Sequence, residues 1–380
     1  MVDTNLLPQG RLRSLDVLRG ATIAGMILVN NPGDWGKTFA PFLHAEWHGW
    51  TPTDLIFPFF LFVLGVAIPL AFASRLERSG GDLRPLYLQI LRRTIILFGL
   101  GLFLAWFPFY DVNWAMARIP GVLQRIAVVY LFASLAYLNL GVKGRAWLSA
   151  VILLGYWLVM KLVPVPGIDL GTIGPDGNPA AWLDHAVLGA HVWRNAPGPG
   201  DPEGILSSFP AVVTALAGVF TGEWLRSQRD RTEKLIGLFV WGTIISAAGY
   251  FFGYLFPINK NLWTSSYVVL TAGLALLSLA VIYYFVDIQG KDRWAGPFYV
   301  FGTNAITVFV LSGLVAKLMY KIRWTGADGA TVTVKGWLYS HFFASWLPDY
   351  WVSLAWAVAT IVFWWAAMRV LYQRRIFIKI

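Results

Sequence analysis

Along this chain of 380 residues, apolar positions come in long unbroken runs. They form neither the one-sided stripe of a surface helix nor the alternation of a half-buried strand. The runs are roughly 16 to 24 residues long, enough at 1.5 Å per residue to cross a ~30 Å hydrocarbon core. Ten can be read, near 15–30, 52–74, 87–107, 121–139, 147–163, 206–225, 235–256, 263–286, 296–317 and 350–371. Several contain Gly or Pro, which spanning helices tolerate where neighbours satisfy the freed backbone. The pattern predicts an all-α polytopic membrane protein with about ten transmembrane helices, built as one integral-membrane domain over residues 1–380. The longest polar connection, 164–205, is rich in Gly, Pro, Asp and Trp and predicts an irregular segment, helical at most around 180–190. Residues 334–347 are aromatic and amphipathic, which suits the membrane interface better than its core. No convincing internal repeat is visible, which weakens an inverted-repeat transporter reading.

Composition agrees with a lipid-solvated chain: 57% of residues are hydrophobic and 13% charged, against about a quarter charged in soluble domains. The net charge of +10 raises the question of a nucleic-acid partner, and the placement of the charges answers it. Alternate connections carry 20 Lys and Arg on one side and 9 on the other, with Arg125 left inside a helix. That asymmetry is the positive-inside pattern, so both termini are expected in the cytoplasm and no nucleic-acid partner is expected. His44 and the 164–205 loop then fall on the outer side. The start, MVDTNLLPQGRLRSLD, has no leader pattern, so the first apolar run is expected to remain in the mature chain. With no cysteine, thiolate metal sites and a cysteine acyl-enzyme are excluded.

Ionisable groups concentrate where they are expensive. Residues 44–65 begin His44-Ala-Glu-Trp-His-Gly-Trp and run into an apolar segment whose first turn holds Asp54. His44 reads either as a proton acceptor near neutral pH or as an interfacial anchor among Trp47 and Trp50. His48 lies four residues on, but no helix precedes Pro52 and no glutamate takes the metalloprotease position, so no metal site is expected. Asp54 reads as a helix cap, as a carboxylate orienting His44, or as both. Arg125, inside an apolar run, needs a phosphate-bearing ligand or an ion pair with Asp16 or Asp54. Asn259, Lys260 and Trp263 add polar and aromatic groups before the eighth run. Asp201 and Glu203 precede the sixth, where they either hold an amino sugar or cap a helix. Gly302 and Asn304 place a small polar break inside the ninth.

The ordered set RLRSLDVLRG, LVNN, FLHAEWHGWTPTDLIFPFFLFVLG, RIPGVLQRI, DPEGILSS, NKNLWTSSYV, FGTNA and RRIFIKI resembles heparan-α-glucosaminide N-acetyltransferase and its bacterial relatives, the NagX-like membrane acyltransferases. The similarity runs from about Arg11 to Ile380. The resemblance implies a transmembrane acyltransferase fold in a bacterial inner membrane. It implies acetyl transfer from cytosolic acetyl-CoA, a co-substrate, to the amine of a glucosamine-type sugar on the outer, periplasmic side. The eukaryotic enzymes carry an additional lumenal domain before these motifs, and without it glucosamine or a short amino-sugar oligomer is the expected acceptor.

By the same resemblance His44, in the H-A-x-W motif, is the active-site histidine, as general base or transient acetyl carrier. Asp54 and Asn30 complete the catalytic set. Arg118, Gln124, Arg125, Asn259, Lys260 and Asn304 are assigned to the acetyl-CoA site and its surroundings, and Trp47, Asp201, Glu203 and Trp263 to the sugar. The lipid bilayer is the expected surroundings, and a homodimer stays open. The competing reading is a proton-coupled amino-sugar transporter with His44 and Asp54 as the relay.

Overall fold

A computed structural model describes residues 12–78, 80–194, 200–326, 329–343 and 348–378. Arg11, Lys379 and Ile380 of the quoted motifs, residues 195–199 of the long connection and 344–347 of the interfacial stretch lie outside the described residues. The chain divides into two compact units, one from the described parts of 1–44, 51–56 and 285–379, the other from 45–50 and 57–284.

The first unit is built on α1 (Arg13–Asn30), α10 (Gly296–Thr303), α11 (Ala305–Lys321) and α13 (Asp349–Gln373). Gly20 and Gly302 let α1 and α10 touch backbone to backbone. A Cβ on Gly20 would fall 1.9 Å from the Phe298 carbonyl oxygen, and one on Gly302 2.3 Å from that of Asp16. Close approach over small residues replaces the hydrophobic driving force that lipid removes. Between α11 and α13 lie a two-stranded antiparallel hairpin, β1 (Arg323–Thr325) and β2 (Thr331–Thr333), and the short helix α12 (Val334–Phe342).

The second unit holds α2 (Ile56–Arg78, all but its first residue), α3 (Arg84–Trp106), α4 (Val122–Asn139), α5 (Val142–Leu162), α7 (Ile205–Arg226), α8 (Arg231–Phe252) and α9 (Ser265–Tyr283). The long connection contributes α6 (Pro179–Leu188), capped by the Asn178 side chain, which accepts from the Ala181 N–H. Helices α2 and α7 pack at Gly65 and Gly218, where added Cβ atoms would lie 1.9 Å from the Ala215 oxygen and 2.1 Å from the Phe62 oxygen. By contrast α3, α5 and α8 expose rows of apolar side chains such as Leu88, Leu91 and Ile95, the face lipid solvates.

Among the described residues eight helices are long and apolar enough to cross a membrane, or nine if the pair Arg293–Thr303 and Ala305–Lys321 is one span. An all-α polytopic membrane architecture is therefore present, with fewer fully apolar spans than the ten runs read from sequence. Two physical differences account for the gap. Helix α1 carries Arg13, Asp16 and Arg19 within two turns, too much charge to count as a simple span. The ninth run bends by 73° at its polar break. Asn304 leaves the helical conformation there and clamps the C-terminal tail, donating to the Ile376 carbonyl (3.0 Å) and accepting from the Ile378 N–H (3.0 Å).

Candidate functional site

In the first unit, residues 51–54 form a tight turn because Pro52 suits its first position and Thr51 and Asp54 cap each other. Asp54 Oδ2 accepts from the Thr51 N–H (3.0 Å) and Oγ1 (3.2 Å). Two further bonds fold the preceding turn over it, from Thr51 Oγ1 to the Leu43 carbonyl (2.6 Å) and from Thr53 Oγ1 to that of Pro41 (3.0 Å). His44, next in the chain, is thereby set against the carboxylate, with Nδ1 2.7 Å from Asp54 Oδ1. The pair is asymmetric: the imidazole is 50% exposed and the carboxylate 1%. A buried carboxylate is unfavourable unless its lone pairs are met. Asp54 meets them with a cap on one oxygen and an imidazole on the other. A carboxylate on Nδ1 selects the tautomer protonated there and leaves Nε2 as the basic nitrogen. Asn30 closes α1, with its side chain exposed.

In the second unit, the Trp47–Trp50 loop is tied down from several sides. Trp47 Nε1 donates to the Ile173 carbonyl (2.9 Å), and the Gly49 N–H donates to that of Ile258 (2.7 Å), with Gly49 at φ 100. Asn259, fully buried, donates to the Trp47 carbonyl (2.8 Å) and accepts from the Leu262 N–H (2.8 Å), with its amide nitrogen 3.4 Å from His48 Nδ1. Its side chain is a brace for this loop. Burial, and then the charge of Lys161, push the His48 pKa below the ordinary histidine value. Lys260 accepts the Trp263 N–H through its carbonyl (3.0 Å).

Arg118 meets Asp201 and Glu203, which lie 83 and 85 residues further along the chain. Arg118 reaches Asp201 with both Nε (2.8 Å) and Nη2 (2.6 Å), and Nη2 also reaches Glu203 (2.5 Å), while the guanidinium lies over the Trp193 ring at 4.7 Å. Burial lowers the Arg118 pKa, and the Asp201 hydrogen bond with the charges of Glu203 and Asp201 more than offsets it, leaving it raised. Asp201 receives the Trp193 N–H, and its own N–H donates to Asp184 (3.2 Å). Asp184 is buried and also accepts from Ile205 N–H (2.8 Å). Burial pushes the Asp184 carboxyl above its ordinary pKa.

Arg125 is 2% exposed. Asp16 holds Arg19 (3.0 Å) and Asp54 holds His44. Arg125 Nη2 donates to the Gly204 carbonyl (3.3 Å) and to Ser207 Oγ, its guanidinium lies over the Trp263 ring at 5.1 Å, and Nε and Nη1 have no hydrogen-bond partner. Trp263, itself buried with φ 52, bonds Thr214 Oγ1 through Nε1 (3.1 Å). Gln124 donates to the Ile119 carbonyl (2.9 Å). Asp184 and Trp193 were not singled out from sequence: each is a common residue in an irregular stretch, and no spacing marks it. Among the described residues no three histidine or carboxylate side chains converge as metal ligands would.

A family model described as a domain of unknown function, DUF5009, matches residues 11–169. The chain is 33% identical over 354 residues to heparan-α-glucosaminide N-acetyltransferase of Homo sapiens, covering 79% of this chain and 52% of that protein. It is 30% identical over 380 residues to the protein of the same name from Mus musculus, covering 86% of this chain and 57% of the relative. The chain thus spans about half the length of the curated relatives it matches.

Proposed function

We propose that this chain, a homologue of the heparan-α-glucosaminide N-acetyltransferases over most of its length, acetylates the amine of a glucosamine-type sugar with acetyl-CoA as donor. The observation that carries the reading is the exposed imidazole of His44 held at 2.7 Å by the buried carboxylate of Asp54. Amide formation needs a base for the amine proton and stabilisation for a thioester carbonyl under attack. The sugar nitrogen attacks the acetyl carbonyl carbon, His44 Nε2 takes the amine proton, and the C–S bond breaks as the carbonyl re-forms. The proton then passes from His44 to the departing CoA thiolate. Asp54 keeps Nδ1 protonated and stabilises the imidazolium while it lasts. Asn30 is proposed as an amide donor to the oxyanion. The alternative with an acetyl group carried briefly on His44 uses the same pair.

The other assignments divide by what each side chain already does. Asp201 and Glu203, with Trp47, are proposed for the acceptor, and Arg118 positions the two carboxylates. Lys260 is proposed for the CoA phosphates. Asn259 and Asn304, engaged with backbone groups, shape their loops, and Gln124, Arg125 and Trp263 build the walls. The excess of Lys and Arg in alternate connections supports an outer-side position for His44 and the 164–205 loop, and we propose a cytosolic donor opposite them in a bacterial inner membrane.

The direct test gives purified protein radiolabelled acetyl-CoA and glucosamine. N-acetylglucosamine is expected from wild type and not from His44→Ala. Wild-type protein that forms none, while proteoliposomes accumulate the unmodified sugar, would overturn the enzyme reading.

A further inference from the structure

A groove of about 730 Å³ runs along α4 in the second unit, walled by α3, α5 and α7. It reaches from Ile119 and Pro120 to Asn139 and Leu140, the whole 18-residue helix, or about 27 Å at 1.5 Å per residue. That is close to the thickness of a hydrocarbon core, ~30 Å. Its walls are apolar, with Val128, Phe132, Leu135, Leu148, Ile152 and Phe209. Phe132 and Phe209 are more than half exposed, so the groove opens on the flank that lipid bathes. A pantetheine arm carries amides that such walls leave unpaired, at a cost of roughly 1–3 kcal/mol each. A hydrocarbon chain leaves nothing unpaired.

Asn139 at one end is occupied by Tyr87 and the Leu135 carbonyl, while four polar groups gather at the other end, Gln124, Arg125, Glu203 and Ser208. Arg125 is nearly fully buried there with Nε and Nη1 unpartnered, and Glu203 keeps 11% of its side chain exposed while bonding Arg118. A cation, a carboxylate, an amide and a hydroxyl together suit a polyhydroxylated amine better than a lone phosphate. Glu203 is also a residue proposed above for the acceptor.

We infer that the groove seats the hydrocarbon tail of the acceptor, an amino sugar carried on a single lipid chain with its sugar at the Glu203 end, an inference that rests on acetyl transfer to an amino sugar as the reaction. The test uses the full chain in lipid nanodiscs with acetyl-CoA and two acceptors, free glucosamine and a hexadecyl glucosaminide bearing a diazirine at the tail tip. Wild type is expected to favour the lipid-borne sugar in kcat/KM by on the order of tenfold, because a seated tail raises the local concentration of the head. Val128→Trp, and independently Leu135→Trp, fills the groove and is expected to abolish that preference while transfer to free glucosamine is unchanged. All three proteins meet the same bilayer-partitioned substrate, so the difference reads the groove. On illumination, wild type is expected to take the label near the inner ends of α4 and α5, and both variants to lose it. A preference equal in all three proteins, or label scattered over the exposed faces of α3 and α8 whatever the variant, overturns the inference. A groove kept filled by ordinary phospholipid gives that scattered result. Groove labelling with neither acceptor acetylated overturns the reaction instead and leaves the tail site standing.

Discussion

His44 and His48 lie four residues apart and meet opposite partners. His44 Nδ1 faces a buried carboxylate at 2.7 Å, and His48 Nδ1 faces the amide nitrogen of Asn259 at 3.4 Å. A carboxylate at Nδ1 fixes the tautomer and the orientation of the ring, which leaves Nε2 as the basic nitrogen. An amide donor can only meet an unprotonated nitrogen, and burial with Lys161 nearby also favours the neutral ring of His48. One motif therefore sets one ring against a carboxylate and the other against an amide, and the first of these is the base proposed above.

The sharpest way to break this comparison is His44→Ala. Acetyl transfer is expected to fall by about 10²–10⁴-fold, the usual contribution of a positioned base. Equal loss in His48→Ala would erase the distinction. Asp54→Asn keeps the shape but not the charge, and kcat is expected to drop about 10- to 100-fold with little change in KM. A purely structural cap would lower the unfolding midpoint and leave kcat unchanged.

Asn259→Ala should read mainly as stability. Leaving the Trp47 carbonyl and the Leu262 N–H unpaired is expected to cost about 1–3 kcal/mol, seen as a lower unfolding midpoint. Retained stability would remove Asn259 as the brace.

His48→Gln is expected to change activity least, within about threefold at neutral pH. Its signature is in acid. Because the folded-state pKa of His48 is depressed, the stability it contributes is fully present above the ordinary histidine pKa. That stability is lost as pH falls through the lower folded value. The glutamine variant should flatten that acid loss, and an unchanged acid limb would show that His48 stays solvated.

Much of the fold was legible because membrane helices announce themselves one segment at a time. Long apolar runs have few alternative structures in lipid, and residues 56–78, 84–106 and 205–226 became helices near where the runs lie. The break at Asn304 was legible as a polar residue in an apolar run, but its 73° bend depends on the C-terminal tail it clamps. The contacts were not legible. Arg125 needed a phosphate-bearing ligand or a paired anion, and within its own unit it lies beside Gly204, Ser207 and Trp263, about 80 residues and more further along the chain. Arg118 was assigned to the acetyl-CoA site and its surroundings, and its charge is shared with Asp201 and Glu203, groups assigned to the sugar.

What the sequence alone determined is the solvent and the local chemistry. Apolar run length dictated a membrane protein, the charge asymmetry supported its orientation, and Thr51-Pro-Thr-Asp54 specified a capped turn with a carboxylate in it. Tertiary structure alone decided which charges meet. Pairing is a property of distance and dielectric, and both are set by how helices pack over residues such as Gly65 and Gly218. Apolar periodicity encodes which face is buried. It carries no information about the polar atom waiting on the other side.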